Sequence, residues 1–410
     1  MSTYAHEPTW RTALSGAQIL FVAFGATVLV PLLTGLNPSL ALLGAGVGTL
    51  IFQLCTKRQV PIYLGSSFAF IAPVIYSVQT WGMPATLGAL ASASFFYYVA
   101  AGLVKWRGVD FIHRLLPPVV IGPVVMVIGL GLAQVAVNMA TGKAGEAQVV
   151  PYETAIAIAA ISLLATMLTA IRAKGLLKLV PILVGVAVGY TVSLFVGIVD
   201  FAKVYDAAWI AVPEFGKPEF NLAAILFMIP VAIAPIVEHV GGILAIGSVS
   251  GKDYTENPGL HRTLLGDGLA VNIVGLFGGP PVTTYGEVTG AVMLTRNYNP
   301  AIMTWAAGFA ILMAFVGKFG ALLQTIPMPV MGGIMVLLFG SIAGIGLKTL
   351  MDAKVDLANP RNLCIVSVTL VTGIGGLGVH IGSFSLQGIS LCGVLAVALN
   401  FLLPKSSEAH

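Results

Sequence analysis

The residues that could do chemistry in this chain are two acids in oily surroundings. Glu238 stands in PIVEHVGG and Glu287 in PPVTTYGEVTGAV, the stretch from Pro280 to Val292. Eighteen residues separate Glu238 from Glu219 and 13 separate it from Lys252, while Glu287 lies nine positions before Arg296. Both therefore fall near the middle of apolar segments, at similar depth. A carboxylate at the centre of a membrane span costs about 2.5–3.5 kcal/mol on insertion scales, so each needs a reason. Facing one another, the two would hydrogen-bond a polar solute, with at least one of them carrying a proton; the bland alternative is an acid that bonds a neighbouring helix. His239 follows Glu238 directly and on a helix points about 100° away, which suits packing or an interhelical bond as well as a proton relay. Asp267, in LLGDGLAVN, reads as an acid near a helix N-terminus that complements the dipole. Lys318 reads equally as a snorkelling side chain or as the partner of an acid.

The elements that carry these groups follow from composition. Of 410 residues, 57% are apolar and only 9% charged, against roughly 25% charged in soluble proteins. Mean hydropathy is +0.96, and apolar runs of about 20 residues recur, the signature of a polytopic α-helical membrane protein. The start, MSTYAHEPTW, lacks the basic region and cleavage site of a secretory signal, so the first apolar run is expected to remain as a span. Hydropathy and helix breakers place fourteen spans near 12–34, 38–56, 60–77, 83–104, 117–136, 152–171, 176–198, 221–246, 263–279, 281–295, 300–323, 328–347, 361–378 and 384–404. With both termini inside, 16 of the 20 Lys and Arg residues fall on the cytoplasmic side, as the positive-inside rule asks. Lys143, Lys203 and Lys217 fall outside, and Lys318 lies within a span.

One hairpin is too short for two ordinary helices. The 33 residues between Arg262 and Arg296 must cross and return. As helix they cover about 50 Å, whereas two passes through a hydrocarbon core of ~30 Å need about 60 Å. Part must be extended or stop mid-membrane, which is tolerated only where protein or a water-filled cavity surrounds it. Pro280, Pro281 and the β-prone Val282 to Tyr285 mark the extended part, with helix from Gly286 onward. PIYLGSSFAFIAPV (Pro61 to Val74), in the third span, is broken in the same manner. Interrupted segments in corresponding halves point to a transporter binding site. At an offset of 211, Pro118, Val119, Gly122 and Gly129 also align with Pro329, Val330, Gly333 and Gly340. Seven spans per half is odd, so the halves would insert with opposite topology: a 7+7 inverted repeat.

Other motifs fail. Gly373 to Gly378 matches GxGxxG but closes an apolar span with no preceding strand, so it reads as a tight turn or close helix contact rather than a nucleotide site. There is no Walker A sequence, no HExxH and no GxSxG context, so an enzyme is not expected and uphill transport would draw on an ion gradient. Cys55, Cys364 and Cys392 lack metal-ligand spacing and read as packing residues. No metal, no cofactor and no nucleic-acid partner is expected; the partners are a small solute, an ion and the bilayer.

At these residues the chain resembles the nucleobase–ascorbate transporters (nucleobase:cation symporter-2 family), most closely their bacterial uracil-permease branch. The anchors are FGATVLVP (Phe24 to Pro31), YLGSSFAF (Tyr63 to Phe70), EHVG (Glu238 to Gly241), NPGLHR (Asn257 to Arg262) and TTYGE (Thr283 to Glu287). The family signature, an acid or glutamine followed by N-x-G and later T-[R/K], appears as Glu287-Val288-Thr289-Gly290 through Thr295-Arg296. The resemblance implies a core domain (8–110, spans 1–4, and 216–325, spans 8–11) and a gate domain (111–215, spans 5–7, and 326–405, spans 12–14), with spans 3 and 10 each beginning as a short strand. It implies proton-coupled uracil import across a bacterial inner membrane by alternating access, and a homodimer through the gate domain. Glu238 and Glu287 would bond the pyrimidine's N–H and C=O edge, backbone amides near Phe68 and Gly286 its carbonyls, and Phe68 and Tyr285 would pack on its ring. Glutamate at 287 favours uracil over xanthine. Ile19, Gly242 and Val288 depart from the family pattern, each standing where relatives carry a polar group, so Glu238 is the expected proton carrier. The alternatives are a xanthine or other purine permease of the same family and, from a different class, a passive solute channel.

Overall fold

A chain this apolar must satisfy its backbone polar groups internally, which favours helix almost everywhere. The structure, a computed structural model, describes residues 9–145, 147–381 and 384–404. Helix α1 (Thr9–Thr34) and α2 (Pro38–Cys55) lead to strand β1 (Leu64–Ser66), one 3-10 turn (Phe68–Phe70) and α3 (Ile71–Arg107). Then come α4 (Pro118–Leu130), the small hairpin β2 (Lys143–Ala144) and β3 (Ala147–Gln148), α5 (Tyr152–Arg172) and α6 (Pro181–Val196). The second half holds α7 (Ile233–Ser250), α8 (Leu260–Leu276), strand β4 (Val282–Thr284), α9 (Gly286–Thr295) and α10 (Ala301–Ala314). It ends with α11 (Met328–Asp352), α12 (Pro360–Ile374), the hairpin β5 (Gly378–Ile381) and β6 (Phe384–Gln387), and α13 (Ile389–Leu402). Among the described residues, seven helical stretches are long and apolar enough to cross a membrane, and four shorter apolar helices accompany them. The chain is a multi-pass membrane protein.

The strands demanded by the short hairpin are present. β1 and β4 pair antiparallel, Leu64 opposite Thr284 and Ser66 opposite Val282. Ser67 N extends the ladder to Pro281 O (2.8 Å) and Tyr285 N to Tyr63 O (3.2 Å). The pair is buried in protein: Leu64 N donates to Thr49 Oγ1 of α2 (2.9 Å), and Ser66 Oγ donates to Thr27 O of α1 (2.8 Å). The expected third and fourth spans share α3, which breaks at Gly82 (φ 82°, ψ 168°). Ser77 Oγ and Thr86 Oγ1 sit 2.8 Å apart, although nine residues of straight helix would put them about 13 Å apart. The helix therefore folds back on itself at a conformation suited to glycine. One expectation is corrected: residues 384–387, assigned to the start of the last span, form β6, and helix begins only at Ile389.

Two sets of helices pack among themselves: α1, α2, α3, α8 and α10, and separately α4, α5, α6, α11, α12 and α13. Small residues allow the close approaches, as membrane helices need. A Cβ on Gly46 would meet Ala307 O of α10, and one on Gly122 would meet Leu350 and Gly346 O of α11. Polar ties are few: Gln53 Nε2 donates to Pro300 O (2.7 Å), and Asn272 Nδ2 donates to Ala91 O (3.1 Å). Among the described residues Lys318 is not paired with an acid; its Nζ donates to Val204 O (2.8 Å) of a short helix, Ala202–Asp206. Gly373 sits against Val127 and Cys392 as a close helix contact.

Candidate functional site

The paired strands set the site. β1 runs into the 3-10 turn and α3, and β4 into α9, so two helices begin on either side of one short sheet. The first amides of a helix have no intrahelical partner and carry partial positive charge. Here those amides belong to the segments beginning at Phe68 and Gly286. Gly286 is exposed and bears no side chain to cover them.

One cavity of about 350 Å³ gathers the residues singled out in the sequence: Phe68, Glu238, Tyr285, Gly286 and Glu287 all line it. Glu238 comes from α7 and Glu287 from the first turn of α9, and both line the same cavity. The Oε2 of Glu238 is buried with no protein partner. Phe68 is 5% exposed and meets Phe339 of α11 edge-on, ring centroids 6.0 Å apart. Tyr285 lies over Gly65, and its hydroxyl donates to Ser66 O (2.8 Å), so it clamps β1 as well as facing the cavity. The far end of the cavity reaches Lys348 and Asp352, an exposed ion pair on α11.

Asp267 has a different setting from the one expected. It lies mid-way along α8, wholly buried, not in the first turn. His239 Nδ1 approaches its Oδ2 to 2.9 Å, without hydrogen-bond alignment, and His239 Nε2 is 3.0 Å from Thr263 Oγ1. Of the two roles left open for His239, the structure displays the interhelical one. Val288 is wholly buried and stands outside the cavity wall, and Ile19 is buried as well. Gly242 does line the cavity. Sequence reasoning missed the Thr283, Thr284 and Thr289 hydroxyls, which are buried, lack protein partners and belong to residues in the wall. The quoted TTYGE contained the first two of them, but only the packing of β4 against its neighbours shows that their hydroxyls are left without protein partners.

The sequence model of the Permease family, the nucleobase–ascorbate transporters, matches residues 11–382. The chain belongs to that family. It is a transporter and not an enzyme. It is 57% identical over 398 residues to a "Probable uracil permease" of Pasteurella multocida (strain Pm70), covering 97% of this chain and 95% of that protein. It is 46% identical over 400 residues to a "Uracil permease" of Bacillus caldolyticus, covering 96% and 92%. Among solved structures it is similar in fold to the transmembrane domain of the cyanobacterial bicarbonate transporter BicA. The TM-score is 0.67 at 14% identity, covering 97% of this chain and 98% of that one.

Proposed function

We propose that this family member imports uracil by proton symport through alternating access. The observation that carries the reading is the cavity between the two strand–helix junctions. It offers acceptors from Glu238 and Glu287, donors from helix-start amides and an aromatic face from Phe68. A flat ring with N–H and C=O groups on its edge matches that set, and about 350 Å³ is ample for a small base. The uracil-permease names of relatives at 57% and 46% identity support the same substrate. Glu238, with a buried and unpartnered oxygen in the wall, is the proton carrier in this proposal.

The wider arrangement is part of the proposal. It comprises fourteen spans in a 7+7 inverted repeat, in a bacterial inner membrane with both termini cytoplasmic. The core is 8–110 with 216–325, the gate is 111–215 with 326–405, and the protein dimerises through the gate. The two sets of mutually packed helices support this division; residues 8 and 405 themselves lie outside the described residues. A purine permease would bind the same edge, and a passive channel would show neither saturation nor counterflow.

The test uses the purified chain in proteoliposomes. Uracil should raise the thermal midpoint, since a ligand bound only by the folded state stabilises it. An imposed inward proton gradient should drive accumulation, and a protonophore should abolish it. Glu238→Gln should lose accumulation. Full accumulation after the gradient is dissipated would remove proton coupling, and normal accumulation by the variant would remove Glu238 from its role.

A further inference from the structure

Three hydroxyls in the cavity wall, those of Thr283, Thr284 and Thr289, bond to no protein group, and that of Thr284 faces a gap. Thr284 ends β4, is 2% exposed, and its Oγ1 bonds to no protein group. Leaving a buried polar group unsatisfied is destabilising, and valine would fill the same strand position, as Val282 does two residues earlier, without that cost. The hydroxyl faces α7 at Gly242. A Cβ built on Gly242 would stand 3.2 Å from Thr284 Oγ1 and would meet nothing else within 4 Å except the Cβ of Thr284. Gly242 lies one helical turn after Glu238, so the two share a face of α7, and both line the cavity with Thr284. The missing side chain thus uncovers a hydroxyl in the same cavity as a carboxylate, one turn back along α7, whose Oε2 is also unpartnered.

The two groups are complementary. An ionised carboxylate only accepts hydrogen bonds, whereas a hydroxyl can donate one. Together they match an edge that presents N–H next to C=O, as a cyclic amide or imide does. We propose that Thr284 is a further solute-binding residue, its hydroxyl donating to a ring carbonyl adjacent to the N–H taken by Glu238, and that Gly242 is the gap that admits this carbonyl. The inference rests on the nucleobase reading above and adds a specificity determinant to it. Because β4 packs directly on α7, the pairing of Thr284 with Gly242 needs no contribution from α11 and travels with the strand.

Isothermal titration of the full-length purified protein with uracil, 2-thiouracil and 4-thiouracil tests it, a thiocarbonyl being the weaker acceptor. Thr284→Val should weaken uracil binding about tenfold, the worth of one hydrogen bond of ~1.4 kcal/mol, with an unliganded thermal midpoint no lower than wild type. Against one of the two thio analogues, the one whose sulfur replaces the bonded oxygen, the same variant should lose nothing. Thr284→Ser should keep wild-type affinity. Gly242→Ala should weaken uracil to a similar degree, and the double variant no further. Uracil affinity of Thr284→Val within twofold of wild type, or an equal loss on all three ligands, overturns the assignment. If wild type binds a purine base instead of uracil, the substrate reading fails and the Thr284→Val loss is sought on that base. If no nucleobase binds, both readings fall.

Discussion

Gly65 decides whether the site can form at all. It sits at the centre of β1, opposite Thr283, and the Tyr285 ring lies against the place its side chain would take. A Cβ there would be 2.5 Å from Tyr285 Cε2 and 2.8 Å from Thr27 Oγ1. The ring cannot swing away cheaply, because its hydroxyl is bonded to Ser66 O. Gly65→Ala should therefore push Tyr285 and the start of α9 out of place, at about 1–3 kcal/mol for overpacking. Uracil affinity should fall by tenfold or more with a lowered thermal midpoint; unchanged affinity in a titration would mean the ring has room that the geometry denies. At this scale the sequence was only partly legible. Glu238 and Glu287 stood out because charge in an apolar run is rare. Asp267 lies deeper in its helix than its sequence setting suggests, because α8 starts at Leu260, seven residues before it. Lys318 was left open because its acceptors are backbone carbonyls, which no sequence pattern marks.

Between elements, polar ties are scarce enough that a single one matters. His239 of α7 and Asp267 of α8 are both fully buried, and the imidazole also reaches Thr263. Breaking a buried pair by removing one partner costs about 3–5 kcal/mol, whereas an average interhelical hydrogen bond in a membrane is worth ~0.6. Removing Asp267 would also leave a cavity at a fully buried place, which adds to the cost of the lost contact. Asp267→Ala should destabilise the protein by about 3 kcal/mol, and the double change His239→Leu with Asp267→Leu should recover most of it. Thermal unfolding in detergent reads both; a single variant as stable as wild type would show that the contact holds nothing. The element level was the most legible, and arithmetic is the reason. Thirty-three residues cannot cross twice as helix, so β4 was demanded before it was seen. The β5–β6 hairpin was missed because Phe384 to Gln387 is apolar enough to pass for the start of a span, and apolar runs alone do not separate strand from helix. The pairing of α4 with α11, whose glycines align at an offset of 211, was visible only as a repeat and not as a contact.

For the whole molecule, the question is which side of the membrane the cavity faces. It opens past Gly242 and Ala245 toward Lys348 and Asp352. At its other end stands Phe68, edge-on to Phe339. One turn further along α3 a second cavity of about 190 Å³ begins, lined by Ala72, Pro73 and Tyr76 together with Gly131 and Gly373. The Phe68–Phe339 contact joins a residue beside β1 to one on α11, so it bridges the two packed sets of helices. An edge-to-face pair is worth about 0.5–1.5 kcal/mol beyond its buried area, enough to bias a two-state equilibrium by roughly 2- to 12-fold. Phe339→Ala should remove that bias and let the two cavities communicate. Sidedness of labelling measures this. With Cys55 and Cys364 changed to serine, a cysteine introduced at Ala245 should react with an impermeant thiol reagent from the Lys348 side alone, and uracil should slow it. Adding Phe339→Ala should make the same cysteine reactive from both sides and reduce the uracil accumulation ratio severalfold, while counterflow persists. Labelling that stays one-sided in the variant would place the barrier elsewhere in the path, and labelling of Ala245→Cys from the opposite side alone would reverse the direction in which the cavity opens.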